Sequence, residues 1–386
     1  MVETVTILGA TGSIGQNALD IISAHKDAFK IKCLTANSNV KLLIEQALKF
    51  EPEYVAISDE TKNAELCDAL KALPNCEILA GADAAEQIAK IESDIVISAI
   101  VGFAGLLPTM AAVNRGAKIG LANKESLVCA GEIIMQQATQ SGAKIIPVDS
   151  EHSAIFQVFD FAHPESVEKV TLTASGGPFR EYAYEQMAGV TAAQAVKHPN
   201  WNMGAKISID SATMMNKGLE LIEAYNLFPI DINQLEVIVH PESIVHSLVH
   251  YKDGSVLAQA GTPDMRVPIS YALGYPERLR NDSVRLNLAE IGQLNFEKPD
   301  LKRFPCLALA QHAMKEGGSV PIILNAANEI AVDGFLSGQI KFLEIAEIVE
   351  KCILRNNKIN ISELSDVFNV DCEVRSKAIE LCRLAA

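Results

Sequence analysis

The sequence predicts an α/β protein in three parts: a doubly wound N-terminal domain, an α+β catalytic domain and a C-terminal helical bundle. Three observations carry this. Over the first 149 residues, short apolar runs alternate with helix-period segments. From about 150 to 262 the alternation gives way to scattered strand candidates and long irregular stretches. From about 301 onward the pattern is helical. At 386 residues the chain is also too long for one ordinary domain, since a prior of roughly 150 residues per domain gives two or three.

In the first part the strand-like runs are Val2–Leu8, Ile31–Thr35, Tyr54–Ile57, Glu77–Leu79, Ile95–Ile100, Ala117–Leu121 and Ala143–Val148. Ile14, Ala18, Ile21 and Ile22 share one helical face, and so do Val40, Ile44, Ala47 and Leu48. Strands separated by such segments predict βαβ units on a parallel sheet. The runs are almost wholly apolar, as befits a sheet covered on both faces. The middle offers strands at Lys169–Ala174, Leu235–Val239 and Ser255–Ala260. Gly176–Trp201, rich in glycine and proline, reads as a long surface loop with a short helical piece. Residues 263–300 read as a connector. Leu307–Lys315, Ile322–Phe335, Leu343–Leu354 and Val374–Leu384 predict the bundle of 301–386.

Composition narrows the function classes. The net charge of −15 lacks the basic footprint of a nucleic-acid binder. An anionic substrate would therefore need local positive contacts. No apolar run reaches the ~18 residues that a membrane span needs. No secretory signal pattern opens the chain. The eight scattered cysteines include no C-x-x-C pair and read as reduced thiols, so a cytoplasmic protein is expected.

The first chemical motif is Gly9-Ala10-Thr11-Gly12-Ser13-Ile14-Gly15, between a strand and a helix. There, glycines let the backbone approach a pyrophosphate, and the helix N-terminus offers free N–H groups. This makes the first domain Rossmann-like, with the glycine turn and helix start as the dinucleotide site. At the end of the second strand an NAD enzyme places an acid on the ribose. Here Asn37, Ser38 and Asn39 stand instead, donors suited to a 2′-phosphate, so NADPH is expected. The same residues also suit a plain turn.

Asp149 and Glu151 follow an apolar strand. In an extended segment residues two apart point the same way, so both carboxylates would enter one cleft. Oxygen ligands suit Mg2+ or Mn2+. A helix start with acids in its first turn fits these residues as well. In Asp210–Glu220, Ser211, Asn216 and Lys217 are typical phosphate partners and Glu220 a further carboxylate, with Asn216 and Glu220 on one helical face. An exposed polar helix start is the plainer reading. Lys124, at another strand end, suits an anion or a polarised oxygen, and Asn123 beside it also suits a helix cap. His198 lies in the long loop beside Trp201, where it suits an anion contact, whereas His240 and His246 read as packing or hydrogen-bonding residues.

Six strings run in order along essentially the whole chain: Gly-Ala-Thr-Gly-Ser-Ile-Gly from Gly9, Leu-Ala-Asn-Lys-Glu-Ser from Leu121, Pro-Val-Asp-Ser-Glu-His from Pro147, Ala-Ser-Gly-Gly-Pro-Phe-Arg from Ala174, His-Pro-Asn-Trp-Asn-Met-Gly from His198, and Asp-Ser-Ala-Thr-Met-Met-Asn-Lys-Gly-Leu-Glu from Asp210. With them the chain resembles the 1-deoxy-D-xylulose 5-phosphate reductoisomerases. The resemblance implies NADPH-dependent rearrangement and reduction of that sugar phosphate to 2-C-methyl-D-erythritol 4-phosphate. A divalent metal held by Asp149, Glu151 and Glu220 would act as Lewis acid in a retro-aldol and aldol sequence. It implies Ser175, His198, Ser211, Asn216 and Lys217 around the phosphate, and Lys124 and Ser150 at the reacting end. Thr11, Gly12, Ser13, Ile14, Asn123 and Glu125 would bind NADPH, with Gly204 as a backbone contact, and Trp201 and Met203 would close over the substrate. A V-shaped homodimer is implied, with residues 1–149 binding NADPH and 150–262 holding metal and substrate. One departure stands out. Near the 2′-phosphate, a Lys or Arg preceded by Gly is expected from the resemblance, and Asn37 and Ser38 are present.

Rival readings are weaker. A short-chain dehydrogenase needs Tyr-x-x-x-Lys, and none of the seven tyrosines has lysine four residues on. A semialdehyde-type dehydrogenase needs a nucleophilic cysteine, and Cys129 sits in an apolar helical run. Another NADP-dependent reductase, or a non-catalytic NADP-binding sensor, explains the glycine turn but not the clustered carboxylates.

Overall fold

The structure is a computed structural model that describes residues 2–201 and 203–385. Strands β1 (Glu3–Leu8), β2 (Phe29–Ala36), β3 (Tyr54–Ile57), β4 (Glu77–Ala80), β5 (Ile95–Ser98), β6 (Lys118–Leu121) and β7 (Lys144–Pro147) alternate with helices α1 (Ser13–Ala24), α2 (Val40–Phe50), α3 (Asn63–Ala69), α4 (Ala84–Lys90), α5 (Leu106–Asn114) and α6 (Lys124–Ser141). There follow α7 (Ser150–Val158), β8 (Val167–Ala174), α8 (Tyr184–Met187), α9 (Ala192–Ala195), α10 (Ala205–Thr213), α11 (Met215–Leu227), β9 (Leu235–Val239), β10 (Val245–Tyr251) and β11 (Val256–Ala260). The chain ends with α12 (Arg266–Gly274), α13 (Leu288–Ile291), α14 (Pro305–Glu316), α15 (Val320–Leu336), α16 (Glu344–Arg355) and α17 (Leu364–Ala385). Contacts divide it into two compact units: Met1–Ser126 with Ile134–Ser153 and Met265–Ser283, and Leu127–Ile133 with Ala154–Asp264 and Val284–Ala386.

The first unit holds a seven-stranded parallel sheet in the order β4-β3-β2-β1-β5-β6-β7. All seven expected strands are there, within two residues at each end. Their apolar side chains are covered from both faces: Val5, Ile7, Ile95, Ile97 and Ile119 are fully buried. The order reverses between β1 and β5, and in such sheets ligands bind beyond the strand ends at that switch point. Within the stretch read as a connector, α12 packs on α1, and Lys118 Nζ on β6 donates to the Leu273 and Tyr275 carbonyls at the α12 end.

The second unit holds a four-stranded sheet, β11-β10-β8-β9, with β10 antiparallel to both neighbours and β9 parallel to β8. Sequence reading missed β10, its central strand. His246, Ser247 and His250 interrupt the apolar pattern, yet the fold satisfies them: the Thr171 hydroxyl and His250 Nε2 are 3.0 Å apart across the β8 pairing. The four predicted C-terminal helices form as α14 to α17: α14 and α15 extend slightly past their apolar patterns, α16 is shifted by one residue, and α17 starts at Leu364, well before Val374.

The long stretch from Gly176 to Trp201 is not a surface loop with one helical piece. It forms two short helices, and Phe179, Met187 and Ala195 are buried. Phe179 packs against Tyr182 and edge-on to Phe342, with centroids 5.1 and 5.2 Å apart, and Arg303 donates to the Arg180 and Tyr182 carbonyls. The segment thus packs against the C-terminal part of its unit. No helix among the described residues is long and apolar enough to cross a membrane.

Candidate functional site

In the first unit the glycine turn joins β1 to α1. Gly9 takes φ +88°, and a Cβ there would lie 2.8 Å from the Ala99 carbonyl oxygen. A Cβ on Gly15 would lie 2.6 Å from the Ala10 Cα, so the helix sits against the turn as no side chain would allow. Thr35 fixes the turn: its hydroxyl accepts from the Gly9 N–H at 2.9 Å and its carbonyl from the Ala10 N–H at 2.7 Å. Gln46 Nε2 donates to the Ala10 carbonyl at 2.9 Å. Gly12, the N-cap of α1, supplies no capping side chain, and Gly12 and Ser13 are exposed. The free amides of this helix start face outward with no acid in the first turn, which fits a pyrophosphate.

At the end of β2, Asn37, Ser38 and Asn39 are exposed. Asn39 caps α2 by accepting from the Leu42 N–H at 3.3 Å, so the structural reading holds for that residue. The Asn37 carbonyl accepts from the Asp59 N–H, and the Asp59 carboxylate turns to the Thr61 hydroxyl at 2.6 Å and amide at 3.1 Å. Those bonds hold the Asp59 carboxyl below its ordinary range.

Asn123 is buried and its amide is fully engaged. Nδ2 donates to the Ile100 and Gly102 carbonyls at 2.6 and 2.8 Å and to Glu125 Oε2 at 3.2 Å, while Oδ1 caps α6 by accepting from Ser126. A cofactor contact from Asn123 therefore falls to its backbone, while its side chain ties the loop after β5 to α6. Next to it, buried Lys124 reaches Asp149 Oδ2 at 2.5 Å.

The expected extended geometry around Asp149 is corrected. Helix α7 begins at Ser150, and the Asp149 carbonyl accepts from the Ser153 N–H, so Glu151 lies in a first helical turn. The helix N-terminus itself favours the two carboxylates, since its free amides carry partial positive charge. Burial acts to raise the Asp149 carboxyl. The Lys124 ammonium, His152 and a hydrogen bond with Glu151 outweigh it and hold the carboxyl well below the usual carboxylate range. The Ser150 hydroxyl donates to Glu151 Oε2 at 2.6 Å. Asp149 and Glu151 present hard oxygen donors, the chemistry Mg2+ or Mn2+ requires.

In the second unit, Ser175 follows β8 and precedes Gly176 and Gly177, at φ +81° and +70°. A Cβ on Gly177 would lie 2.6 Å from the Ser211 carbonyl oxygen, so this turn lies directly on α10. His198 Nδ1 accepts from the Asn200 and Trp201 N–H groups at 3.1 and 3.0 Å. Its proton therefore sits on Nε2, which is 2.9 Å from the Ser175 hydroxyl. Burial pushes the imidazole down to about 4, so it is neutral near pH 7 and presents Nε2–H as an uncharged hydrogen-bond donor. Asn200, which sequence reasoning missed, donates to the Pro241 carbonyl at 2.6 Å and the Ser243 hydroxyl at 3.0 Å. Trp201 lies 6.1 Å, centroid to centroid, from the His246 ring.

Met214 adopts the left-handed conformation, φ +61°, and separates α10 from α11. Ser211 thus ends one helix while Asn216, Lys217 and Glu220 begin the next. Asn216 and Lys217 both donate to the Glu220 carboxylate, on one helix face as expected. Lys217 and Glu220 are 3% and 1% exposed, which rules out an exposed polar helix start. Gly204 is the exposed N-cap of α10. His240 is a buried hydrogen-bonding residue, Nδ1 lying 2.8 Å from the Asn295 carbonyl and the ring stacked on Phe296.

Comparison with known proteins adds to this geometry. The 1-deoxy-D-xylulose 5-phosphate reductoisomerase family matches residues 5–131, and the family's C-terminal domains match residues 145–228 and 260–377. The 1-deoxy-D-xylulose 5-phosphate reductoisomerase of Phocaeicola vulgatus is 51% identical over 382 residues, covering 99% of both chains. A Zymomonas mobilis reductoisomerase in complex with NADPH has a similar structure, with 46% identity, a TM-score of 0.93 and 99% of each chain covered. A reductoisomerase in complex with NADPH, fosmidomycin and magnesium gives 43% identity and a TM-score of 0.95 over 99% of each chain.

Proposed function

The chain belongs to the 1-deoxy-D-xylulose 5-phosphate reductoisomerase family, and we propose on that premise how its residues carry the reaction. It converts 1-deoxy-D-xylulose 5-phosphate into 2-C-methyl-D-erythritol 4-phosphate with NADPH and magnesium. The observation that carries this is the identity of 51% over 382 residues, a span that includes every motif named above.

The α1 amides and Thr11, Gly12, Ser13 and Ile14 take the NADPH pyrophosphate. Asn37 and Ser38 donate to the ribose 2′-phosphate. Asn123, through its backbone, Glu125 and Gly204 complete the cofactor contacts. Asp149, Glu151 and Glu220 hold the metal. When bound, the metal would supply Lewis-acid polarisation of substrate oxygen and NADPH would supply the hydride. Lys217 and Asn216 grip the substrate phosphate, with the Ser175 and Ser211 hydroxyls and the neutral His198 donating Nε2–H. The Lys124 ammonium lies at the reacting end with Ser150, where it stabilises negative charge on an oxygen. Trp201 and Met203 close over the substrate and exclude water. Residues 1–149 form the NADPH domain, 150–262 the catalytic domain, and 301–386 the helical domain that backs it.

The working protein is a homodimer. Supporting this, β11 is an edge strand, and its Val256 and Leu257 are 47% and 48% exposed. An edge that is both open and apolar invites pairing with a second copy. The eight free cysteines suit a reducing cytoplasm.

Glu151→Gln tests the assignment. Turnover should fall by roughly 10³-fold or more while NADPH binding, read by fluorescence titration, stays within about twofold. Loss of NADPH binding in this variant would contradict the division between cofactor and metal residues.

A further inference from the structure

Ser211 owes its direction to the rotation of α10, and the neighbouring Asp210 is the residue that fixes that rotation. Asp210 is 1% exposed and, about 100° around the helix from Ser211, stands on a different face. Two groups meet its carboxylate. Lys206, one turn earlier, reaches Oδ2 at 2.9 Å, and Asn328 Nδ2 on α15 donates to Oδ1 at 2.8 Å. The Asp210 carbonyl accepts from the Thr213 hydroxyl at 3.2 Å, and that hydroxyl accepts from the Met215 N–H at 3.3 Å. A hydrogen-bonded chain thus runs from Asn328 through Asp210 and around the Met214 corner into the start of α11, the helix that carries Asn216 and Lys217.

Asn328 is a poor choice for stability alone. It is fully buried, and its own carbonyl oxygen Oδ1 has no donor among the described residues. A buried acceptor left without a donor weakens a fold, and a leucine would pack the same helix face without that defect. The amide earns its place through Asp210. Its helix is itself held in rotation: Asn325 donates to Glu329, Glu329 pairs with Arg375 on α17 at 2.6 Å, and Arg375 pairs with Asp371 at 2.6 Å.

We infer that Asp210 and Asn328 are a positioning pair through which the C-terminal helices aim the phosphate contacts of α10 and α11, so that substrate affinity is set by residues that do not touch the substrate. This rests on the reading of Ser211 as a phosphate contact.

The test is steady-state kinetics of the full-length protein with 1-deoxy-D-xylulose 5-phosphate, NADPH and Mg2+, with Ser211→Ala as the reference. Asn328→Leu should raise KM for the sugar phosphate about tenfold, leaving kcat within about threefold and the NADPH dissociation constant unchanged. The exchanged pair, Asp210→Asn with Asn328→Asp, keeps a donor facing an acceptor and should return KM to within about threefold of the parent. If Asn328→Leu does not fold, Asn328→Asp alone replaces it, since two facing carboxylates must disturb the pair in the same way. A lowered melting temperature with KM within about twofold, or a KM rise that the exchange leaves uncorrected, overturns the inference. An unchanged KM in Ser211→Ala sinks the phosphate reading itself and takes the inference with it.

Discussion

His198 shows how one residue's surroundings choose its protonation state. Two backbone amides hold Nδ1 as an acceptor, and burial holds the ring uncharged. The consequence for stability has a definite sign. The folded value is about 4 against an ordinary 6.5, so between these pH values the unfolded chain binds a proton that the folded chain refuses. The stability from neutral His198 is complete above about pH 6.5 and is lost as pH falls toward 4. Thermal unfolding followed from pH 7 to 5 should therefore fall more steeply for the parent than for His198→Gln. Parallel curves would show that the imidazole is not held neutral. Asp149 makes a different case: after β7, the Lys124 ammonium from the start of α6 helps hold its buried carboxyl well below the usual carboxylate range.

At the scale of elements, the glycine turn was legible because its chemistry is local: strand, turn and helix start are contiguous, and spacing alone places the glycines. Gly15→Ala tests the turn directly. The added Cβ meets backbone that cannot rotate away, so NADPH binding should weaken by at least about tenfold, with a lower melting temperature. Binding within about twofold of the parent would mean that the turn yields, and that the close approach is not what the cofactor needs. The strands of the first sheet were legible for the same kind of reason, being uniformly apolar and buried on both faces. What was hidden had distant partners. β10 reads as broken because its polar residues interrupt the apolar run, and His250 finds its partner, Thr171, only once β8 pairs beside it. Asn200 and Asn328 look like ordinary polar residues until Pro241 and Asp210 stand beside them. The extended geometry expected for Asp149 and Glu151 failed because α7 starts at Ser150, between the two acids, so that Glu151 is already helical. The two carboxylates remain at the helix start even so.

For the whole molecule, the proposed homodimer rests on the open edge of β11. Leu257→Lys places a charge on that edge, and sedimentation velocity should show a shift from dimer to monomer. A dimer unchanged in this variant would place the interface elsewhere. The most direct test of the account as a whole is the oxidation of NADPH, followed by its absorbance, when purified protein meets 1-deoxy-D-xylulose 5-phosphate and Mg2+, with and without a chelator. The account predicts oxidation that needs the sugar phosphate, stops with the chelator and resumes when Mg2+ or Mn2+ is restored. Oxidation indifferent to the chelator, or none at all with NADPH still bound, would contradict it.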